Sequence, residues 1–155
     1  MTDALHTRAL SRTDLPAIST ILDGTGLFPS ELLPAMAEPF LDGSAAQVWL
    51  VICEGSTVLG FAYAEPERMT DNTHNLLAIA VSPDRQNAGI GKALVKAVEQ
   101  QLASTGGRVL LVETSSLADY EATRAFYDGL GFAREARIRD FYATGEDKIV
   151  FWKRL

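Results

Sequence analysis

The sequence predicts a mixed α/β sandwich built on one sheet rather than a doubly wound nucleotide fold. Three observations predict it. The 155 residues suit one domain, expected to span 1–155, and would crowd two independent cores. The hydrophobic period switches repeatedly between about 3.6 and about 2, the marks of helix and strand. The segments also follow the order β-α-α-β-β-β-α-β-α-β-β, with runs of consecutive strands that a strictly alternating fold lacks.

A first strand is expected over Thr7–Leu10. Thr13 or Asp14 then caps a helix whose Leu15, Ile18 and Ile21/Leu22 share one face. An irregular helical region follows at 30–41, where Pro34 and Pro39 each remove a backbone donor. Gln47–Cys53 and Thr57–Ala64 read as strands joined by the Glu54-Gly55-Ser56 turn. A third strand runs from His74 to Val81.

Pro83 and the glycines that follow end that strand and open a helix. Its Ile90, Leu94, Val98 and Leu102 recur at helical spacing, and Gly106-Gly107 stops it. Arg108–Thr114 reads as a central strand buried on both faces. Tyr120–Leu130 is a helix closed by Gly131. Strands near 132–139 and 148–153 flank an Ala143-Thr144-Gly145-Glu146 turn.

Composition narrows the function. Hydrophobic residues make up 47% and charged residues 22%, the balance of a chain with a packed core. The net charge of −6 opposes the clustered cations that nucleic acid or an anionic membrane requires. No run approaches the roughly 20 apolar residues of a membrane span. Met1-Thr2-Asp3 begins a segment with an early acid and no apolar run, unlike a signal peptide. The chain is therefore expected to be cytoplasmic, with no nucleic-acid or membrane partner. Cys53 is the only cysteine, and His6 and His74 the only histidines. No metal is expected from so few ligands.

The most informative segment is Val81-Ser82-Pro83-Asp84-Arg85-Gln86-Asn87-Ala88-Gly89-Ile90-Gly91-Lys92-Ala93-Leu94. An apolar strand enters it and an amphipathic helix leaves it. Gly89 and Gly91 keep side chains out of the turn, so backbone amides can approach a ligand closely. A helix N-terminus adds exposed N–H groups and a favourable dipole for an anion, most naturally a diphosphate. The spacing excludes two familiar phosphate loops. A Walker A loop needs Gly where Gln86 stands and Ser/Thr where Ala93 stands, and a dinucleotide fingerprint needs Gly at Leu94.

Gln86-Asn87-Ala88-Gly89-Ile90-Gly91 resembles the Gln/Arg-x-x-Gly-x-Gly/Ala signature of the GNAT N-acetyltransferase superfamily. Leu77-Ala78-Ile79-Ala80-Val81-Ser82-Pro83 resembles that family's fourth strand, and Lys92-Ala93-Leu94-Val95 its third helix. A second stretch, Phe126-Tyr127-Asp128-Gly129-Leu130-Gly131-Phe132, resembles its closing Phe-Tyr-x-x-x-Gly-Phe. The resemblance implies a GNAT fold, with a mixed, mostly antiparallel twisted sheet of about seven strands and about four flanking helices.

It further implies acetyl transfer from acetyl-coenzyme A to a primary amine by direct attack on the thioester. The acceptor would be a small-molecule amine or a protein or peptide amine. A coenzyme A-binding module without catalysis is the competing reading. The family's pattern assigns Gln86, Asn87, Ala88, Gly89, Ile90, Gly91 and Lys92 to the pyrophosphate, with Arg85 beside them at the coenzyme. Main-chain groups of Ile79, Ala80 and Val81 would serve the pantetheine arm and thioester carbonyl. Arg85, Lys92 and Lys96 would supply local positive field.

Tyr127 would protonate the departing thiolate, since a phenol with an ordinary pKa of about 10 is protonated at neutral pH. One departure is Tyr120, which stands where many relatives carry a coenzyme-contacting Asn. An ammonium acceptor must also lose a proton, and Glu113 at the end of an apolar strand is the leading base. Burial there is expected to raise its pKa towards the useful range. Glu65, Glu67 and Asp71 are fallback bases. The resemblance also allows a homodimer, although the chain carries no coiled-coil repeat.

Overall fold

The computed structural model describes residues 4–155, and Met1-Thr2-Asp3 of the N-terminal reading lies outside them. The chain forms β1 (Leu5–Ala9), α1 (Leu15–Thr25), α2 (Leu33–Leu41), β2 (Val48–Glu54), β3 (Thr57–Pro66) and β4 (Thr73–Val81). It continues with α3 (Ile90–Ser104), β5 (Val109–Ser115), α4 (Glu121–Gly129), β6 (Ala133–Ala143) and β7 (Glu146–Arg154). The sheet order is β1-β2-β3-β4-β5-β7-β6. The β4–β5 register is parallel, whereas β1–β2, β2–β3, β5–β7 and β6–β7 are antiparallel. The predicted order of elements and the mixed seven-stranded sheet are both present.

Two compact units make up the chain. The first takes in the segment up to Glu65 together with Leu77–Gln101. Its core joins Ile18, Ile21 and Leu22 of α1 to Leu33 and Ala37 of α2 and to the inward side chains of β2 and β3. Trp49 stacks on Tyr63 at 4.2 Å between centroids and faces Phe61 at 6.0 Å. Such aromatic pairs contribute about 0.5–1.5 kcal/mol beyond their burial.

Entry to α1 differs from the sequence expectation. Asp14 does stand at the N-cap of α1, but its side chain makes no cap bond there; Ser11 caps a 3-10 turn over Arg12–Asp14 that leads into the helix. The Asp14 carboxylate accepts from the Ser11 N–H at 2.8 Å and takes a two-pronged bond from Arg8 at 2.8 Å. A capping box outcompetes a single cap here because it satisfies two orphan donors.

The second unit comprises Pro66–Leu76 and Leu102–Leu155. Leu110 and Phe151 are fully buried, with Val112, Tyr127, Phe132 and Ile149 close behind. β5 is not buried on both faces as expected. Leu110, Val112 and Thr114 are buried, while Val109, Leu111 and Glu113 alternate with them at intermediate exposure. That period of 2 gives Glu113 a half-open position. β6 is exposed along its whole length, as a sheet-edge strand with a single neighbour can be.

Candidate active site

In the first unit, β4 changes character after Leu76. Its paired register with β5 runs from Thr73↔Val109 to Leu76↔Val112. Beyond it, Ala78 and Ala80 are buried while Leu77 is exposed and Ile79 and Val81 are half-buried, so one face of the strand stays accessible. Gly60 of β3 explains the close approach on the other side. A Cβ there would lie 2.6 Å from the Ala80 carbonyl oxygen and 3.2 Å from Leu94 Cδ1. Only a residue without a side chain lets β3, β4 and α3 meet at that point.

The turn after Val81 is tight and exposed. Ser82 N–H donates to the Leu59 carbonyl at 2.7 Å, and a 3-10 turn follows at Pro83–Arg85. Asn87 at φ 65° and Gly89 at φ 79° then reverse the chain through the left-handed region, which glycine enters without cost. A Cβ on Gly89 would meet nothing within 4 Å, so the space before it is open. Ile90, fully buried, anchors the first turn of α3. The leading N–H groups of a helix have no partner within it. This is an exposed chain reversal at a helix N-terminus, and it fits an anionic group.

Side chains around the turn are disposed unevenly. Gln86 folds back, donating its amide to the Val81 carbonyl at 3.3 Å. Asn87, Ala88 and Lys92 are exposed, as is Lys96. Arg85 is engaged by Glu54, with bonds of 3.2 and 3.0 Å. The guanidinium holds the Glu54 carboxyl below the usual carboxylate range. The positive field expected from Arg85 is therefore offset locally, leaving Lys92 and Lys96 as the open cations of the segment.

The second unit holds the other predicted residues. Tyr127 lies on α4, 3% exposed. Its ring meets Phe126 at 5.0 Å, Phe132 at 5.5 Å and Phe151 at 5.6 Å. Burial pushes its hydroxyl above the ordinary phenol value, because the phenolate is the form that loses hydration. It thus keeps its proton at neutral pH. Gly131 at φ 87° ends the helix region as expected. Tyr120 is 43% exposed at the turn before α4.

Glu113 is surrounded by donors rather than left bare in an apolar setting. Asn75 Nδ2 donates to its Oε1 at 2.8 Å, and Lys148 Nζ to its Oε2 at 3.0 Å. The Lys148 ammonium also stands 3.8 Å from the centroid of the Phe141 ring. Asn75 donates its second N–H to Glu67 Oε1 at 2.9 Å. Tyr142 senses this group, as burial first and then the Glu113 and Glu146 charges push its phenol up.

Of the fallback acids, Glu65 accepts from the Tyr63 hydroxyl at 2.5 Å, and Asp71 is exposed beside Arg108 at 3.7 Å. Ser115 Oγ donates to Glu146, and Ser116 Oγ accepts from the Asp147 N–H.

Sequence reasoning missed Asn75 and Lys148. Asn75 carried a usable signal, a lone amide beside the apolar run Leu76-Leu77-Ala78, because buried amides demand partners. Lys148 carried none, since its partner lies 35 residues away. Among the described residues, no three His, Cys, Asp or Glu converge as a metal set, and no helix is long and apolar enough to cross a membrane.

Comparison with known proteins supplies the family. A profile of the acetyltransferase (GNAT) family matches residues 16–132. The ribosomal protein bS18-alanine N-acetyltransferase of Salmonella typhimurium is 30% identical over 144 residues, covering 91% of each chain. A GNAT-family acetyltransferase from Desulfovibrio desulfuricans superposes with a TM-score of 0.88 at 30% identity, covering 97% of this chain and 99% of that one. The yncA acetyltransferase of Salmonella typhimurium, solved with its cofactor acetyl-CoA, gives a TM-score of 0.77 at 21% identity over 99% of this chain and 95% of its own. The chain belongs to the GNAT acetyltransferase family and performs that family's reaction, the transfer of an acetyl group from acetyl-coenzyme A to an amine.

Proposed function

We propose that this chain acetylates the free amine of a protein or peptide N-terminus, acting as a cytoplasmic, single-domain enzyme. A relative that matches 91% of the chain carries the name of an alanine N-acetyltransferase of a ribosomal protein, which favours a peptide acceptor over a small amine. A homodimer is compatible with the reading, and the net charge of −6 gives no reason to expect a nucleic-acid partner.

Acetyl-coenzyme A supplies an activated thioester acyl group. In this reading the backbone from Gln86 to Lys92 holds the pyrophosphate, using N–H groups at the mouth of α3. The observation that carries it is the exposed chain reversal at Asn87 and Gly89, with open space in front of Gly89. Lys92 adds charge, and Arg85 contributes through its main chain while its side chain stays with Glu54. Main-chain groups of Ile79, Ala80 and Val81 receive the pantetheine arm, because that part of β4 lies past the four residues paired with β5.

Glu113 takes the proton that the acceptor ammonium must lose. Tyr127 returns a proton to the leaving thiolate, a role suited to a hydroxyl that burial keeps protonated. Direct attack of amine on thioester requires no protein nucleophile, and Cys53, 1% exposed in β2, serves packing.

An amine panel read by free-thiol release tests the proposal. The panel holds a peptide beginning with alanine, the same peptide blocked at its N-terminus but containing lysine, and a polyamine. Thiol release with the first and not the second is expected. Stabilisation by acetyl-coenzyme A without thiol release from any amine would leave a coenzyme-binding module in place of an enzyme.

A further inference from the structure

Asn75 is 3% exposed and ends up with both N–H bonds of its side chain on carboxylates, Glu67 at 2.9 Å and Glu113 at 2.8 Å. Chemistry fixes this orientation. Ionised carboxylates only accept, so the opposite placement would set a carbonyl against two anions. The consequence is a cost, because Asn75 Oδ1 is buried with no hydrogen-bond partner. A residue needed only to fill this space would be apolar and free of that cost. The amide therefore has a task that depends on its two donors.

The task is geometric. Glu113 belongs to β5 and Glu67 lies just past β3, and a single planar amide spans them. Two carboxylates side by side repel in a partly dehydrated setting, and the shared amide offsets that repulsion while fixing where each oxygen points. Lys148 completes the clamp on Glu113 from the other oxygen at 3.0 Å, its own side chain 11% exposed. Glu67 Oε1 is held by Asn75, and its residue remains partly open.

We propose that Asn75 is a positioning residue of the acetyl-transfer reaction, holding Glu113 in the orientation from which it deprotonates the acceptor and setting Glu67 beside it to attract a cationic amine. The inference rests on the reading of Glu113 as the base.

The test uses the full chain with acetyl-coenzyme A and the fastest amine of the panel above. Asn75→Asp keeps the shape and removes both N–H groups, and Asn75→Leu replaces the amide by an apolar group. Should one fail to fold, the other carries the test. Each is expected to lower kcat by about 10–100-fold with the KM for acetyl-coenzyme A changed less than about twofold, as misplacement of a reacting group does. Glu67→Gln is expected to raise the KM for the amine more than it lowers kcat.

In a Glu113→Gln background, Asn75→Leu should slow turnover no further, because a residue acting through Glu113 has nothing left to position. Full turnover in Glu113→Gln would sink the base assignment and this inference with it. A slow Glu113→Gln combined with unaffected Asn75 variants, or with fully additive losses, would overturn the positioning role alone.

Discussion

The segment 79–92 and the second unit's side chains, Glu113 clamped by Asn75 and Lys148 and Tyr127 in its own aromatic cluster, are built on different principles. The first is backbone: a strand edge, two left-handed residues and a helix mouth, all within one short stretch of chain. The second is side chain, with partners up to 38 residues apart meeting across strands. A backbone site tolerates change wherever the side chain points to solvent and fails where the chain must bend. A side-chain site fails when any partner is lost. Substitutions therefore affect the two regions differently.

The largest effect belongs to Tyr127→Phe. Turnover should fall by about 10–1000-fold while acetyl-coenzyme A binding stays close to normal, since general acid catalysis contributes on that scale. Steady-state kinetics beside a binding titration separates the two. Equal losses in both would mean that the hydroxyl serves binding and that the regions are not distinct in function.

Gly60→Ala comes next and falls on the backbone region. Its Cβ would press on the Ala80 carbonyl at 2.6 Å, and overpacking of this kind costs about 1–3 kcal/mol. A melting temperature lower by several degrees is expected, together with weaker coenzyme binding, because β4 leads into the turn. Normal binding in a destabilised variant would separate the β3–β4 approach from the cradle.

Lys148→Met should be milder, at about 1–2 kcal/mol of stability, as it removes the ammonium from a half-buried carboxylate. Thermal melts check the stability. Kinetics should register the same substitution through Glu113, with unchanged binding of acetyl-coenzyme A.

The smallest effect is a control outside both regions. Arg8 first, opposed by burial and aided by the Ser11 N–H, holds the Asp14 carboxyl below its ordinary value near 3.8. The folded state thus releases that proton more readily than the unfolded chain. Its contribution is present above pH ~4 and disappears as pH falls through the depressed value. Asp14→Asn should cost about 1 kcal/mol at neutral pH, flatten the acid limb of the stability curve and leave kinetics untouched.

Much of this was legible in the sequence because local rules govern it. The element order followed from period and punctuation, and the glycine turn from residues that lie next to one another. The same locality explains the errors. The 3-10 turn capped by Ser11 ahead of α1 was missed because a reciprocal box with Asp14 needs two residues read together. The burial of β5 on both faces was overestimated, because an apolar run does not reveal which face a helix covers. Arg85 was read as a free cation since Glu54, 31 residues away, gave no sign of pairing with it. Glu113 was singled out as a candidate by its place on a strand, but its clamp of Asn75 and Lys148 arises only from tertiary register.

The central claim is that the reversal at 86–91 receives the diphosphate of acetyl-coenzyme A. Calorimetric titration of acetyl-coenzyme A into the parent chain and into Gly89→Glu tests it most directly. Gly89 sits at φ 79° with open space before it, so the variant adds backbone strain and a negative charge at the proposed ligand. Saturable binding to the parent and affinity weaker by at least about 100-fold in the variant are expected. Equal affinity in a folded Gly89→Glu protein would contradict the account.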